Sequence, residues 1–283
     1  MQNGMKREVL AILGAIFLCC CTAHAQIESG TVIVLQFTQD EFVIAADSRG
    51  SFSNGSPEDT YCKIAAFDRQ FVVGVDGAAA YTPGYADISS PSWNAIEEAK
   101  RVARIYGPGL PLGPGATVSA IADLWATNLQ NDWRSLYAIY PDRVINQAKK
   151  GEGILTNGFF AFAQNGDIAL TMRSITFGDR GIQISTTSLL YCGVQPCASG
   201  KIDVTMEFIK LTSDRAREEK KHFTVSPSVL ARASFEMARA VRLVDLTITY
   251  DPTQTVGGPV DGLELFKDGS IRWFSRKDNC PAN

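Results

Sequence analysis

Histidine is nearly missing from this 283-residue chain: His24 and His222 are the two it has. A Ser-His-Asp or Cys-His hydrolase needs an imidazole base, and His222 sits in DRAREEKKHF, a run that reads as a solvated loop or helix face. A basic block is missing too. With a formal net charge of −3 and no cluster of lysine and arginine to track phosphates, nucleic acid is not an expected partner. No Cys/His set has zinc-ligand spacing, so no metal and no cofactor is expected. Internal repeats, low-complexity segments and an apolar run long enough to span a bilayer comfortably are also lacking.

The apolar run that does occur, Val9–Cys21, follows Lys6 and Arg7 and precedes small residues in TAHA, the pattern of a secretory signal cut after Ala25. Acylation at one of Cys19–Cys21 is a weaker alternative, since no small residue immediately precedes the first of them. Residues 1–25 are thus expected to be a signal peptide, the mature protein secreted or periplasmic, and membrane association absent after cleavage. The remainder has the length of one large domain, which buries about 70–75% of the surface its unfolded chain exposes. Four cysteines survive the cut. In an exported chain they permit two disulfides, with Cys192 and Cys197 in YCGVQPC forming a short loop bridge and leaving Cys62 with Cys280. Buried free thiols and, less favoured, a metal site are the competing readings.

Pattern along the chain predicts strand pairs first. Thr31–Phe37 and Phe42–Asp47 form a hairpin, and Thr60–Phe67 with Phe71–Val75 form a second around Asp68 and Arg69. The period then becomes helical over Trp93–Tyr106, with Ser92 as N-cap, and over residues 116–149, with a break at Pro141. Strands resume at Gly153–Ala163 and Ile168–Phe177 around an Asn-Gly turn, with another near Ile182–Tyr191. A last helix is expected from Pro227, capped by Ser226, to about Val241, and a closing hairpin at Gly262–Phe266 and Ile271–Ser275. Strand pairs flanked by helices imply an α+β fold of four layers, αββα, with two antiparallel sheets inside.

One constellation stands out. Gly30 and Thr31 open the first strand, Asp47-Ser48-Arg49 follow the second, Lys63 lies beyond, and Gly77 sits in VDGAAA. Taken singly, each has a duller explanation: a β-branched strand starter, a structural ion-pair cluster, a turn glycine. Taken together at these offsets, they resemble the start of a proteasome β-type subunit of the N-terminal-nucleophile hydrolase superfamily. VGGPVDGLELFKDG is similar to that family's late Gly-Gly strand and final hairpin, so the likeness spans most of residues 31–283 as a single domain.

The resemblance implies cleavage of Gly30–Thr31, removing a short propeptide at 26–30 and freeing Thr31 as nucleophile. It further implies that Asp47 holds Lys63, that Lys63 supports the nucleophile, that Gly77 N–H faces an oxyanion, and that Arg49 braces Asp47 and the nearby loops. Gly50, Tyr61, Ala65, Val75 and Ala79 would line a small apolar pocket suited to a neutral side chain. An N-terminal threonine carries its own base, an α-amino group with a reference pKa of about 7.7–8, which explains how such a site works without histidine.

The chain also departs from the family. Val256 stands where its late serine belongs and Thr253 where its aspartate belongs, with Asp251 the substitute upstream; Ser199 is a distant candidate for the serine of its Gly-Ser-Gly turn. Three readings follow: an exported threonine peptidase acting on peptide or amide substrates, a catalytically silent protein that binds peptides or assembles, and a small-amide hydrolase. Family relatives stack into barrels, so a homo-oligomer is an open partner state.

Overall fold

The computed structural model describes residues 26–28, 31–51, 57–59, 61–67, 70–83, 92–106, 112–187, 189–193, 195–278 and 280. The expected signal at 1–25, the cleavage residue Gly30 and the connections at 52–56, 68–69 and 107–111 lie outside the described residues.

Strand β1 (Gln26–Glu28) precedes a hairpin of β2 (Val32–Phe37) and β3 (Glu41–Ala46). Both of these strands are buried on both faces, which is why their sequences are apolar throughout rather than alternating. Short β4 (Gly50–Ser51) and β5 (Pro57–Glu58) pair with each other, and β6 (Ile64–Phe67) with β7 (Phe71–Gly77) form the second hairpin. The expected start of that hairpin at Thr60 is corrected: Tyr61, Cys62 and Lys63 precede the strand.

Next come β8 (Ala80–Thr82), β9 (Trp93–Asn94) and helix α1 (Ala95–Tyr106). The helix begins two residues later than its periodicity predicts, and Asn94 rather than Ser92 caps it. Asn94 Oδ1 accepts from the amides of Ile96 at 2.9 Å and Glu97 at 3.1 Å, while Trp93 and Asn94 are drawn into pairing with Tyr81 and Ala80. Helices α2 (Pro114–Ile139) and α3 (Pro141–Lys150) divide at Tyr140, because Pro141 has no N–H to continue the ladder. Strands β10 (Ile154–Gln164) and β11 (Asp167–Gly178) turn through Asn165 and Gly166, both at positive φ, and β12 (Gly181–Thr187) follows.

Strand β13 (Cys197–Gly200) and helix α4 (Ile202–Lys210) went unforeseen, and the charged run forms helix α5 (Asp214–His222), capped by Ser213. The expected last helix is two. α6 (Pro227–Leu230) is a single turn capped by Ser226, and α7 (Phe235–Tyr250) starts afresh at Ser234, whose Oγ accepts from Met237 N–H at 3.1 Å. Strands β14 (Asp261–Phe266) and β15 (Ile271–Ser275) close the chain as expected.

Among the described residues the strands make two five-stranded antiparallel sheets, in the orders β12-β11-β10-β7-β6 and β13-β2-β3-β14-β15. Their facing sides share one apolar cluster, in which Ile33, Leu35, Ile44 and Leu263 meet Ile64, Val72 and Phe159. On the outer side of the first sheet α1 to α3 bury Trp125, Trp133 and Leu129; on the outer side of the second, α4 and α7 cover Val32, Val34, Val43 and Ala45. Helices on sheet, sheet on sheet and sheet on helices is the layering expected from the pattern. Disulfides Cys62–Cys280 and Cys192–Cys197 join as the loop-bridge reading anticipated.

Packing against the first sheet is tight at Gly158 in β10. A β-carbon there would lie 2.6 Å from the Trp125 ring and 2.7 Å from Phe160. Trp125 is also tied by its indole N–H to Ala95 O at 2.8 Å, so it cannot simply swing aside. Gly158→Ala should therefore lower the unfolding free energy by about 1–3 kcal/mol, the usual penalty of overpacking, as read from urea denaturation. An unchanged midpoint would show that this layer has slack.

Candidate active site

The site forms where the β2–β3 hairpin ends. Strand β2 begins one residue after Thr31, and β3 ends one residue before Asp47. Antiparallel pairing thus returns Asp47 to the head of β2, where Val32 N–H donates to Asp47 Oδ1 at 2.9 Å. Lys63 arrives from the other sheet, just before β6, with its carbonyl accepting from Val75 N–H at 2.9 Å. Its ammonium donates to Asp47 Oδ1 at 2.7 Å and to Arg49 O at 2.6 Å. Thr31, Asp47 and Lys63 are all buried, at 4%, 0% and 1% exposure. Burial pushes the Lys63 pKa below its ordinary value, and the Asp47 carboxylate works against that shift.

Asp47 Oδ2 has its own pair of donors, Gly257 N–H at 3.0 Å and Arg49 N–H at 3.2 Å. With four donors in place, the carboxylate has no room for a guanidinium. The expectation that Arg49 braces Asp47 and the nearby loops is met by different parts of the residue, the backbone N–H at Asp47 and the guanidinium at the loops. Its side chain forms a two-pronged pair with Asp59, at 2.7 and 2.9 Å, and donates to Gln254 O at 3.1 Å. Only the Arg49 backbone touches Asp47. This guanidinium packs over Gly257, where a β-carbon would lie 2.5 Å from Arg49 Cζ and displace it.

Asp251 is not brought to the Asp47 carboxylate. Its oxygens accept from Thr253 N–H at 3.0 Å, Thr253 Oγ1 at 2.7 Å and Thr255 N–H at 2.8 Å, all in its own loop. Burial raises its pKa, but these hydrogen bonds outweigh it and hold the group below its ordinary value. The loop so organised carries Gly257 to Asp47, so Asp251 supports the site at one remove rather than directly.

Gly77 ends β7 at φ +75°, and a β-carbon would meet Leu155 O at 2.7 Å. Positive φ and this close approach both demand glycine there. Beyond it Ala78 N–H bonds Leu155 O at 2.8 Å, and the chain enters β8. Of the expected pocket residues, Ala65, Val75 and Ala79 are buried in the core cluster on which Tyr61 packs, and a β-carbon on Gly50 would lie 3.7 Å from the Tyr61 side chain. Asn94 Nδ2 donates to Tyr61 Oη at 3.3 Å. Strand β1 pairs with β8 close by, Glu28 opposite Ala80 and Gln26 opposite Thr82.

Two groups escaped sequence reasoning. Lys277 donates to Ser48 Oγ at 2.7 Å and Tyr61 O at 2.5 Å and pairs with Asp261 at 2.6 Å. It sits three residues before Cys280, whose disulfide to Cys62 pins this tail beside Lys63. That cysteine pair was the available signal. The other group is Asp76 and Asn157, which meet Ser199, the distant candidate already named from the sequence. Asn157 stands directly opposite Asp76 across β7 and β10, and its Nδ2 donates to Ser199 Oγ at 3.3 Å. Burial pushes the Asp76 carboxyl up to about 6, against the opposing pull of Ser199, Asn157 and the Lys63 charge.

Among the described residues no group of three or more His, Cys, Asp or Glu could hold a metal ion, and no helix is long and apolar enough to cross a membrane. No protein-family model matches the chain, and no curated protein matches it either.

Removing Asp47 should leave Lys63 without its buried counter-charge, so Asp47→Ala is expected to cost about 3–5 kcal/mol of stability in urea denaturation. A loss below about 1 kcal/mol would mean that the pair is held together weakly. Asp76 gives a pH signature. Its folded-state pKa of about 6 lies above the ordinary 3.8, so folding favours the protonated form. Its contribution to stability is full below about pH 4 and is lost as pH rises through about 6. Asp76→Asn cannot ionise, and should exceed the wild type by up to about 3 kcal/mol at pH 7, with the gain gone by pH 4. Parallel melts at the two pH values check this.

Proposed function

We propose that this chain is an exported threonine hydrolase of the proteasome-like N-terminal-nucleophile type, cleaving peptide or other amide bonds with Thr31 as its first mature residue. The observation that carries the reading is the link from the N–H of Val32, the residue after Thr31, through Asp47 to the buried Lys63 ammonium. A fixed cation in that position serves a nucleophile whose base must be neutral and whose oxygen gains charge.

The chemistry follows from those groups. Release of Gly30 leaves a Thr31 amine that takes the proton from its own Oγ as Oγ attacks the substrate carbonyl. Lys63 favours the neutral amine beforehand and the developing negative oxygen during attack, while Asp47 limits the penalty of burying Lys63. Gly77 N–H serves the oxyanion, a role in which one donor is typically worth about 10²- to 10³-fold in rate. The protonated amine then gives its proton to the departing nitrogen, and water hydrolyses the Thr31 ester. Pairing of Gln26–Glu28 with β8 supports a substrate that lies as an added strand on that edge once those residues have left. The apolar group around Tyr61 supports a neutral side chain before the scissile bond.

A second reading, a silent peptide-binding protein, draws support from Val256 in place of the family's serine and from Asp251 bonded within its own loop. The two separate cleanly. Intact mass of the exported protein should show Thr31 as residue one, and a threonine-directed electrophile should label it. Thr31→Ala should start at Gln26, with no label and no detectable amide hydrolysis. A wild-type chain that stably retains Gln26 sinks the proposal; a processed chain that resists labelling favours the silent protein. Comparing peptides with small acyl amides then distinguishes a peptidase from a small-amide hydrolase.

A further inference from the structure

Asp76 is a buried carboxylate that the reaction above does not use. It projects from β7 on the same face as Val72, into the space between the sheets, at the end of the sandwich where Thr31 and Lys63 lie. Asn157 meets it from the neighbouring strand. Ser199 comes from the facing sheet, on the strand bonded directly to β2, in register with Ile33 and therefore on the same face. Two residues further along, Lys201 N–H donates to Thr31 O at 2.7 Å, so the end of β13 runs alongside the nucleophile itself.

Asp47 and Asp76 differ in how they are satisfied. Four donors saturate Asp47, as suits a carboxylate that holds its neighbours in place. Asp76 Oδ2 and Asn157 Oδ1 are both buried without a hydrogen-bond partner. Leaving such atoms unmatched is costly, more so for a charged group. An acceptor left open beside the site can respond to a proton on a neighbouring group.

We propose that Asp76, acting through Ser199, is a positioning residue for the Thr31 amine. This rests on the threonine-hydrolase reading above. The Asp76 carboxylate takes the Ser199 hydroxyl hydrogen, and Asn157 Nδ2 occupies one Ser199 lone pair. The remaining lone pair accepts an N–H of the freed amine. Ser199 is then fully satisfied, with one donated and two accepted hydrogen bonds. When the amine takes the Thr31 Oγ proton and becomes an ammonium, the Asp76 charge stabilises it from behind, with no proton leaving the amine toward Asp76. The charge acting on Asp76 from the β6 side is Lys63, while β10 and β13 face it with the uncharged Asn157 and Ser199. Lys63 and Asp76 thus set the amine's basicity from opposite directions.

The test is kcat/KM against pH for the processed wild type, Asp76→Asn and Ser199→Ala, using a fluorogenic peptide amide with a neutral side chain before the scissile bond. In the wild type two groups must lose protons, the amine and Asp76 near pH 6, so the acid limb steepens toward a slope of 2. In Asp76→Asn the limb should have slope 1 and move to lower pH, because the anion that raised the amine's basicity is gone. The plateau rate should fall by less than the about 10²-fold that loss of a direct proton-transfer group causes. Ser199→Ala should likewise bring the slope to 1, and decides the matter should the Asp76 variant misfold. Variant profiles that overlay the wild type in slope and midpoint overturn this inference while leaving the hydrolase reading intact. A wild type that keeps Gln26 and is inert overturns both.

Discussion

Four hydrogen bonds converge on the Asp47 carboxylate, and the geometry of the site depends on them. They come from Val32 at the head of β2, Arg49 in the following turn, Lys63 in the opposite sheet and Gly257 in the loop before β14. A carboxylate has about four acceptor positions, so this one is full. That saturation keeps a lysine buried as a pair, directs Arg49 outward to Asp59, and fixes where Thr31 stands relative to the ammonium. A buried pair of this kind is weak evidence for stability in itself, but breaking it is expensive, which makes its geometry hard to lose.

A second pair lies behind the first. Lys277 and Asp261 brace Ser48 and the carbonyl of Tyr61, and the Cys62–Cys280 disulfide holds the C-terminal segment in place beside them. Lys277 also opposes the charge on Lys63 and adds to the downward pull on its pKa. The two cations are tolerated so close together because each has its own buried carboxylate. Asp76 follows different logic, with one oxygen unmatched and its carboxyl pushed up toward neutrality. Groups poised in that way lower stability and are characteristic of sites where charge changes during a reaction.

How much was legible can be judged residue by residue. The hairpins, the helical pair with its break at Pro141 and the closing hairpin are local patterns of period and turn chemistry, and they appear where expected. Helix starts were missed at Ala95 and Phe235, because Asn94 and Ser234 compete with equally plausible caps one or more residues earlier and the pairing of Trp93 with Tyr81 settles the first. Strand β13 was missed because four residues flanking a disulfide carry no readable alternation. That Arg49 meets Asp47 through its backbone and Asp59 through its guanidinium was not legible, because spacing says which groups are near and nothing about which acceptors are already filled.

What the sequence determined by itself was the local frame: a hairpin that returns Asp47 to the residue after Thr31, with Lys63 and Gly77 following in the next one. Those residues lie within a few dozen positions of each other, and antiparallel pairing converts such spacing directly into proximity. Only the tertiary structure decided that Lys277, Gly257, Asn157 and Ser199 join them. They come from parts of the chain 80 to 246 residues away, and no periodicity links them to the hairpin. Their arrival depends on two sheets stacking through one apolar layer, and the polar groups left at the end of that layer must then satisfy one another.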